Sequence, residues 1–503
     1  MALTARSGTL AMGSSPVARA ADTASPAARR MILLGGFAAA GSFGALAAQL
    51  GSETALVALV GGAALFVAVV SSYAALTLLI VLLLVPLYGF SVPPLQINQM
   101  DAVYLAALLG LFFRFLMNGE RLTIRPLGLA LIAFLASGLL TLTTGILGGA
   151  GAQDALSHFR GLFGYALVPL LFLSPGEQRA DRRRMLLYLL VAVGVLTAAR
   201  GVLSWAELNG LVQLGGVLHR IASPDSASSV GAVPALSGDF GYLRAWAGNF
   251  EGNTLGAFLV LLLPATGYLA LRDGNPLARL GFAVGTILLL LALIASYSRG
   301  AYFGLAAAAL PALLLLGRRR PLAAVALALG GLALLIFLVN QLPGAEDRLV
   351  TLRSLRQDPT VLHRQVVYEQ VLDAVIHNPL WGVGLGTRVG TIGTGADSLY
   401  LFMLLRGGLL LVAVALVLVW VAGRSLLAAL RAGWIGDLDL VVAAGLWGFA
   451  VHSVIDYATW NPKVALTMWL LVGFLMAAAM QPRTSPADAS VAVAQQEEPK
   501  RRW

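Results

Sequence analysis

Long apolar runs alternate with short polar breaks along most of the chain. The runs are close to the roughly 20 residues that cross a bilayer core at about 1.5 Å per residue. They predict helices over 31–50, 54–71, 72–88, 102–117, 126–145, 158–173, 185–204, 253–271, 279–296, 301–316, 321–340, 398–421, 439–457 and 463–481. That is roughly 14 transmembrane helices in an all-α, polytopic integral membrane protein. Residues 31–481 then form one membrane domain between a polar, disordered cytoplasmic tail at 1–30 and a second tail at 482–503. The segment from Arg29-Arg30 through Ala48 has the charge, apolar run and small-residue exit of a signal peptide; it is taken here as an uncleaved first helix.

Two intervals break the apolar rhythm, 204–252 and 342–397, and a shorter one lies at 146–157. In the second long interval, Leu362, Val366, Val367, Val371, Leu372, Val375 and Ile376 follow helical spacing. Arg364, Gln365, Glu369, Gln370 and Asp373 supply a polar surface. The pattern predicts an amphipathic helix lying on or docked against the membrane domain, with Arg364 toward water. It should stop near His377 and Asn378, because Pro379 disfavours helical geometry in the residue before it. Gly382, Gly384 and Gly386 follow and permit a tight backbone turn.

Composition agrees: 58% of residues are apolar and 12% charged, with a mean hydropathy of +0.83. The chain has no cysteine, so neither a disulfide framework nor thiolate chemistry is available. The net charge of +10 is explained by position rather than by nucleic acid. Arg114, Arg121 and Arg125, then Arg179, Arg182, Arg183 and Arg184, then Arg318, Arg319 and Arg320, then Arg424 and Arg431 fall in alternate loops, which the positive-inside rule places in the cytoplasm. Both long polar intervals then face outward. No convincing internal repeat is visible, which weighs against a transporter built from inverted repeats.

Arginines in outward loops run against that rule and therefore carry information. Arg244 precedes the helix at 253–271, Arg299 lies in a short turn, and Arg364 lies on the amphipathic helix. Each has an ordinary alternative: a loop cation, a snorkelling helix end and a solvated face, respectively. Together on one side they suit a diphosphate, because guanidinium is permanently charged and its planar fork binds two oxygens. Asp397 opens the helix at 398–421, either as a cap or as a general base. His452 and Asp456 are four apart near the outer end of another helix, either a functional pair or a local structural one. Arg406 falls on the face opposite Asp397 at about 100° per residue, outside that site, with Asp456 as a candidate partner. Asp437-Leu438-Asp439 would lie on the cytoplasmic side, away from every other candidate, so no nucleotide-sugar metal site is assigned to it. No strand or βαβ unit surrounds Gly382-Val383-Gly384-Leu385-Gly386, so it is no dinucleotide fingerprint.

Taken in order, these segments resemble the O-antigen ligase/polymerase-like family of bacterial membrane glycosyltransferases. The matching pieces are Arg244 through Asn253, Ser298-Arg299-Gly300-Ala301, Arg364 with Asn378-Pro379-Leu380-Trp381-Gly382-Val383-Gly384-Leu385-Gly386, Ser398-Leu399-Tyr400-Leu401, Gly407-Gly408-Leu409, and His452-Ser453 with Asp456. They span roughly 240–480. The resemblance implies an outward cavity closed by a long periplasmic loop, in a multi-pass bacterial plasma-membrane protein whose active site faces the periplasm or cell exterior. It implies glycan transfer from an undecaprenyl-diphosphate carrier to a glycan or lipid-linked acceptor hydroxyl, in surface polysaccharide or lipopolysaccharide biosynthesis, without cofactor or metal. By that likeness Arg299 and Arg364, with Arg244, bind diphosphate; Asp397 or His452 removes the proton; Asp456, Gly382, Gly384 and Gly386 support the site. Ligases of the family commonly carry His-Asn where this chain has Asp397-Ser398, which leaves ligase and polymerase both open. A polysaccharide flippase or small-solute transporter is the alternative from another class, and a structural assembly subunit a third. Membrane lipid is an expected partner; nucleic acid is not.

Overall fold

The computed structural model describes residues 62–65, 67–68, 71–85, 89–92, 95–118, 126–172, 180–213, 244–245, 247, 250–319, 359–390 and 396–480. The expected spans 31–50 and 321–340, both tails, and most of 54–71 and of the interval 204–252 lie outside these residues, as does 342–358. Within the described residues the chain is mostly helical. Six helices are long and apolar enough to cross a membrane. They are α3 (Pro126–Leu147), α6 (Ala180–Leu208), α7 (Gly252–Arg272), α8 (Pro276–Ala295), α11 (Leu399–Arg431) and α13 (Pro462–Ala479). All six coincide with expected spans. Around them stand α1 (Ser72–Leu82), α2 (Gln99–Asn118), α9 (Arg299–Arg319), α10 (Pro359–His377) and α12 (Asp437–His452).

Three expectations change. A β-hairpin, β1 (Gly89–Val92) with β2 (Leu95–Asn98), precedes α2. Residues 158–172 are not one helix: α4 (Ala152–Phe159) passes into a π-turn at Arg160–Gly164 and then α5 (Val168–Leu171). Here Asp101 gathers the Arg160 guanidinium at 3.1 Å and the Tyr165 hydroxyl at 2.7 Å, a polar cluster that a straight apolar helix would not assemble. The expected span 439–457 is also shorter, since α12 ends at His452. Asp456 therefore lies in the turn beyond it, on no common helix face.

Small residues set the centre of the bundle. A Cβ at Gly256 of α7 would fall 2.7 Å from the Ala301 methyl of α9, and one at Gly448 of α12 would fall 2.5 Å from the Gly304 carbonyl oxygen. Hydrogen at these positions lets α7, α9 and α12 approach backbone to backbone, as spanning helices do without a hydrophobic drive between them. That close approach carries Arg299, the first residue of α9, to the His452 end of α12. At the other end of α12, Arg183 meets Asp439 at 3.2 Å, and Asp439 also accepts from the Gly436 amide at 2.9 Å. The Asp437-Leu438-Asp439 motif thus sits where a helix start and an ion pair use it.

The feature with most consequence is a break in α11. Gly408 adopts φ 61°, ψ −160°, a conformation essentially confined to glycine. The break removes helical partners from the backbone on both sides, and unpaired peptide groups in an apolar domain are costly. The segment after α10 takes their place. The Val383 and Gly384 amides donate to the Leu405 and Arg406 carbonyls at 2.8 and 3.0 Å. The Leu409 and Leu410 amides donate back to the Pro379 and Leu380 carbonyls at 2.8 and 3.2 Å. Leu385 then donates to Thr141 of α3 at 3.0 Å.

This geometry predicts that Gly408→Ala costs at least about 1–3 kcal/mol from backbone strain alone. A clash adds to it, because the new methyl would lie 2.5 Å from the Leu380 carbonyl. The readout is the melting temperature in detergent. Gly423→Ala is the control: it lies in the same helix, and its methyl meets no atom within 4 Å. It should be neutral or slightly stabilising. Equal melting of the two variants would contradict the assigned break.

Candidate active site

Helices α7, α9, α11 and α13 begin, and α8 and α12 end, at one face of the bundle, so the candidates are held by helix termini. Glu251 stands at the residue before α7, Arg299 opens α9, Asp397 precedes α11, Lys463 lies in the first turn of α13, and His452 closes α12. The start of α11 and the end of α12 interlock through a backbone bond. The Leu399 amide donates to the Ser453 carbonyl at 3.0 Å, which seats the first turn of α11 on the end of α12.

Asp397 does not cap α11. The cap position is Ser398, whose hydroxyl lies 3.4 Å from the Ser453 carbonyl. Asp397 stands one residue earlier, and its Oδ2 lies 3.5 Å from Nε of Arg364. This is an ion pair rather than a well-formed hydrogen bond, since Arg364 Nε has no hydrogen-bond partner. The Asp397 side chain is 36% exposed and that of Arg364 21%, so the carboxylate remains open to an incoming group.

The amphipathic helix exists and stops at His377, but its polarity is turned from the expected one. At about 100° per residue Arg364, Val367, Val371 and Val375 share a face. Val367 and Val371 on that face are buried, and Arg364 and Val375 half-buried. Leu362, Val366, Leu372 and Ile376 instead are exposed beside Gln365, Glu369 and Asp373. Arg364 therefore points into the protein rather than to bulk water. The physical reason is charge: its guanidinium reaches the field of Asp397 and Asp456.

Arg244 is held in place as well. Its Nε donates to the Ser296 carbonyl at 2.8 Å, its Nη2 to Asn253 Oδ1 at 2.5 Å, and the guanidinium lies over Gly252. It ties the start of α7 to the Ser296-Tyr297-Ser298 turn ahead of Arg299. In that turn Tyr297 adopts φ 50° without being glycine, a local strain of about 1–3 kcal/mol. The side chain of Arg299 is half-buried. Beside it, a Cβ at Gly300 would lie 3.2 Å from Cδ2 of His452. The His452 ring is buried, and neither nitrogen makes a well-formed hydrogen bond, although the Asn253 backbone faces it. No hydrogen bond joins it to Asp456.

The carboxyl of Asp456 is pushed up from its ordinary 3.8 to about 7. Burial is the main cause, followed by the charge of Glu251; Arg364 and Arg244 oppose the rise, and Asp397 adds to it. Glu251 is also raised by burial, with Arg244 opposing. The structure thus brings Arg244, Arg364, Asp397, His452 and Asp456 into one charged cluster, with Arg299 adjoining it through Gly300. It adds two residues that sequence reasoning missed. Glu251 sat unremarked inside the Arg244–Asn253 stretch. Lys463 is 2% exposed, with Nζ 5.5 Å from the centre of the Phe250 ring. Its signal was available: an ionisable residue opening a spanning helix. Among the described residues no group of three or more His, Asp or Glu side chains is arranged to hold a metal.

The three glycines have positive φ, at 65° for Gly382, 82° for Gly384 and 77° for Gly386. The expected turns form at 379–381 and 385–386, and the glycines also make close backbone approaches. Gly382 lies on the Leu405–Arg406 backbone, Gly384 on Gly145, and Gly386 on Ala155. The suggested pairing of Arg406 with Asp456 is not made: Arg406 Nη1 donates instead to the carbonyls of Gly384 and Thr387, at 3.2 and 2.6 Å.

A helical membrane protein with arginines and carboxylates clustered at one end of its bundle is the class that fold and site define. Within that class, residues 284–416 match the family model described as O-Antigen ligase, which supports the likeness to the O-antigen ligase/polymerase-like family. The matched segment contains Arg299, Arg364, Asp397 and the three glycines; Arg244, His452 and Asp456 lie outside it. Among curated proteins no sequence matches the chain significantly.

The raised Asp456 carboxyl has a measurable consequence. Its folded value exceeds its unfolded one, so the stability it lends the protonated fold is full below about 3.8 and lost as pH rises through about 7. Wild type should therefore lose melting temperature relative to Asp456→Asn across that window, with little relative change above it. A constant difference from pH 4 to 8 would place the carboxyl in an ordinary environment.

Proposed function

We propose that the chain is a membrane glycosyltransferase that moves a glycan from an undecaprenyl-diphosphate carrier to an acceptor hydroxyl. The reaction takes place on the outer face of the plasma membrane, in surface polysaccharide assembly. The observation that carries this reading is the Arg364–Asp397 contact, beside Arg244 and Asp456, within the segment that matches the O-antigen ligase model.

In this reading Asp397 and Arg364 neutralise one another before the donor arrives. A diphosphate offers Arg364 two oxygens in place of one carboxylate oxygen at 3.5 Å. As Arg364 turns to it with Arg299, Asp397 is released to accept the proton of the acceptor hydroxyl. The hydroxyl oxygen attacks the anomeric carbon, the bond from that carbon to the diphosphate oxygen breaks, and the electron pair leaves with the diphosphate. Charge on the leaving group grows during that step, so arginines that meet it stabilise the transition state more than the ground state. His452 is the second candidate for the proton, and its ring lies against Gly300 next to Arg299. Arg244 contributes charge and holds the Arg299 turn.

The transporter alternative requires ionisable groups along the depth of the membrane. The candidates here gather at one end of the bundle, which favours chemistry over passage. The ligase and polymerase forms differ only in the acceptor.

Arg299→Ala and Arg364→Ala, each introduced into a strain lacking the native gene, should lower surface polysaccharide roughly hundredfold or more at normal protein level. Arg→Lys at either position should also impair, because the planar fork is lost. Full activity in both alanine variants would sink the mechanism. Purified protein should release polyprenyl diphosphate from lipid-linked glycan without an ion gradient; strict dependence on a gradient would instead favour a carrier.

A further inference from the structure

We propose that Arg406 is a positioning residue: its guanidinium latches the segment 379–387 into the gap of α11, and so holds Arg364 over Asp397. Its effect on catalysis rests on the glycosyltransferase reading, whereas the latch itself does not.

Arg406 is fully buried, between the apolar stretches 401–405 and 409–421 of α11. A charge in such a place is costly unless hydrogen-bonded, and is functional by default. Its guanidinium carbon sits 5.6 Å from the Phe402 ring centre, and Phe402 stacks on Tyr457 at 4.0 Å. The acceptors that Nη1 finds are carbonyls of the inserted segment, at Gly384 and Thr387. This reaches beyond the stretch that completes the helix. Pro379, Leu380, Val383 and Gly384 supply the bonds the break needs. The bond to Thr387 adds nothing to the helix and instead fixes the far half of the segment, which the Thr387 hydroxyl closes on the Val383 carbonyl at 2.8 Å.

The segment is the lever for the site. It continues α10, which carries Arg364, and leads on to Asp397. The bonds of α10 to the bundle are few on its outer side, where Leu362, Val366, Leu372 and Ile376 are exposed. Val367 and Val371 pack its inner face into the bundle, and the inserted segment is the tether at its His377 end. Removing the guanidinium frees two carbonyls inside the bundle and loosens the tether without touching Arg364 or Asp397.

The natural chain has no cysteine, so one introduced thiol reports alone. Leu385→Cys places it at a 0% exposed position in the segment, and Leu262→Cys, in a separate protein, at a 0% exposed position in α7. Maleimide labelling of the full-length protein in detergent is the measurement. With Arg406→Met, the Leu385→Cys thiol should label about tenfold faster or more, the scale of a lost charge-assisted hydrogen bond, while the Leu262→Cys thiol stays protected. Unchanged labelling of both thiols would overturn the latch. Should both become reactive, the methionine variant has lost its fold, and Arg406→Gln, which keeps a buried donor, decides by the same two outcomes. A second readout separates positioning from general destabilisation. If Arg406 acts through Arg364, adding Arg406→Met to Arg364→Ala should reduce transfer little further, whereas independent effects would multiply. Multiplying losses would refute action through Arg364 even where the labelling shows a latch.

Discussion

A spanning helix that breaks inside its apolar surroundings must find partners for the peptide groups it releases. At Gly408 those groups are the Leu405 and Arg406 carbonyls and the Leu409 and Leu410 amides, and all four are met by one stretch of chain, from Pro379 to Gly384. The exchange is mutual, since the stretch is itself without regular structure and needs the same bonds. A break and a loop that would each be costly alone complete one another. The consequence is positional: backbone bonds fasten the His377 end of α10 to the bundle, while Val367 and Val371 pack its inner face.

From that fastening follows the arrangement at the end of the bundle. Arg364 is carried inward to Asp397, and Asp397 is set by the seat of Leu399 on Ser453. The glycine contacts among α7, α9 and α12 independently bring Arg299 beside His452. Arg244 ties the start of α7 to the turn ahead of Arg299 by bonding Asn253 and Ser296. Positive and negative groups then share a confined volume, where each shifts the other: Asp456 is raised by burial and by Glu251, and restrained by the arginines. Mutual perturbation of this kind marks a candidate functional site.

Six spanning helices and the stop of α10 before Pro379 were legible because they depend on local quantities: run length, apolar spacing and the steric effect of proline. The membership of Arg244, Arg364, Asp397 and Asp456 in one cluster was partly legible, through sidedness and the resemblance. The inward turn of α10 was not. Its valines and leucines all looked alike as apolar positions, and only the docking of the neighbouring loop decides which of them are covered. Lys463 and Glu251 were passed over because a single charge at a helix start has an ordinary explanation until Phe250 and Arg244 are seen beside it.

By itself, then, the sequence determined a helical membrane protein, the approximate ends of most described spans, and a set of arginines set apart from the basic loops. Those follow from hydropathy and charge, which are properties of each stretch on its own. Tertiary structure alone decided that Gly382, Gly384 and Gly386 are also points of backbone contact with α11, α3 and α4. It also decided that Arg406 bonds a loop rather than Asp456, and that Asp397 faces Arg364 rather than capping its helix. Each of these turns on which distant backbone fills a gap, and no local pattern of residues carries that information.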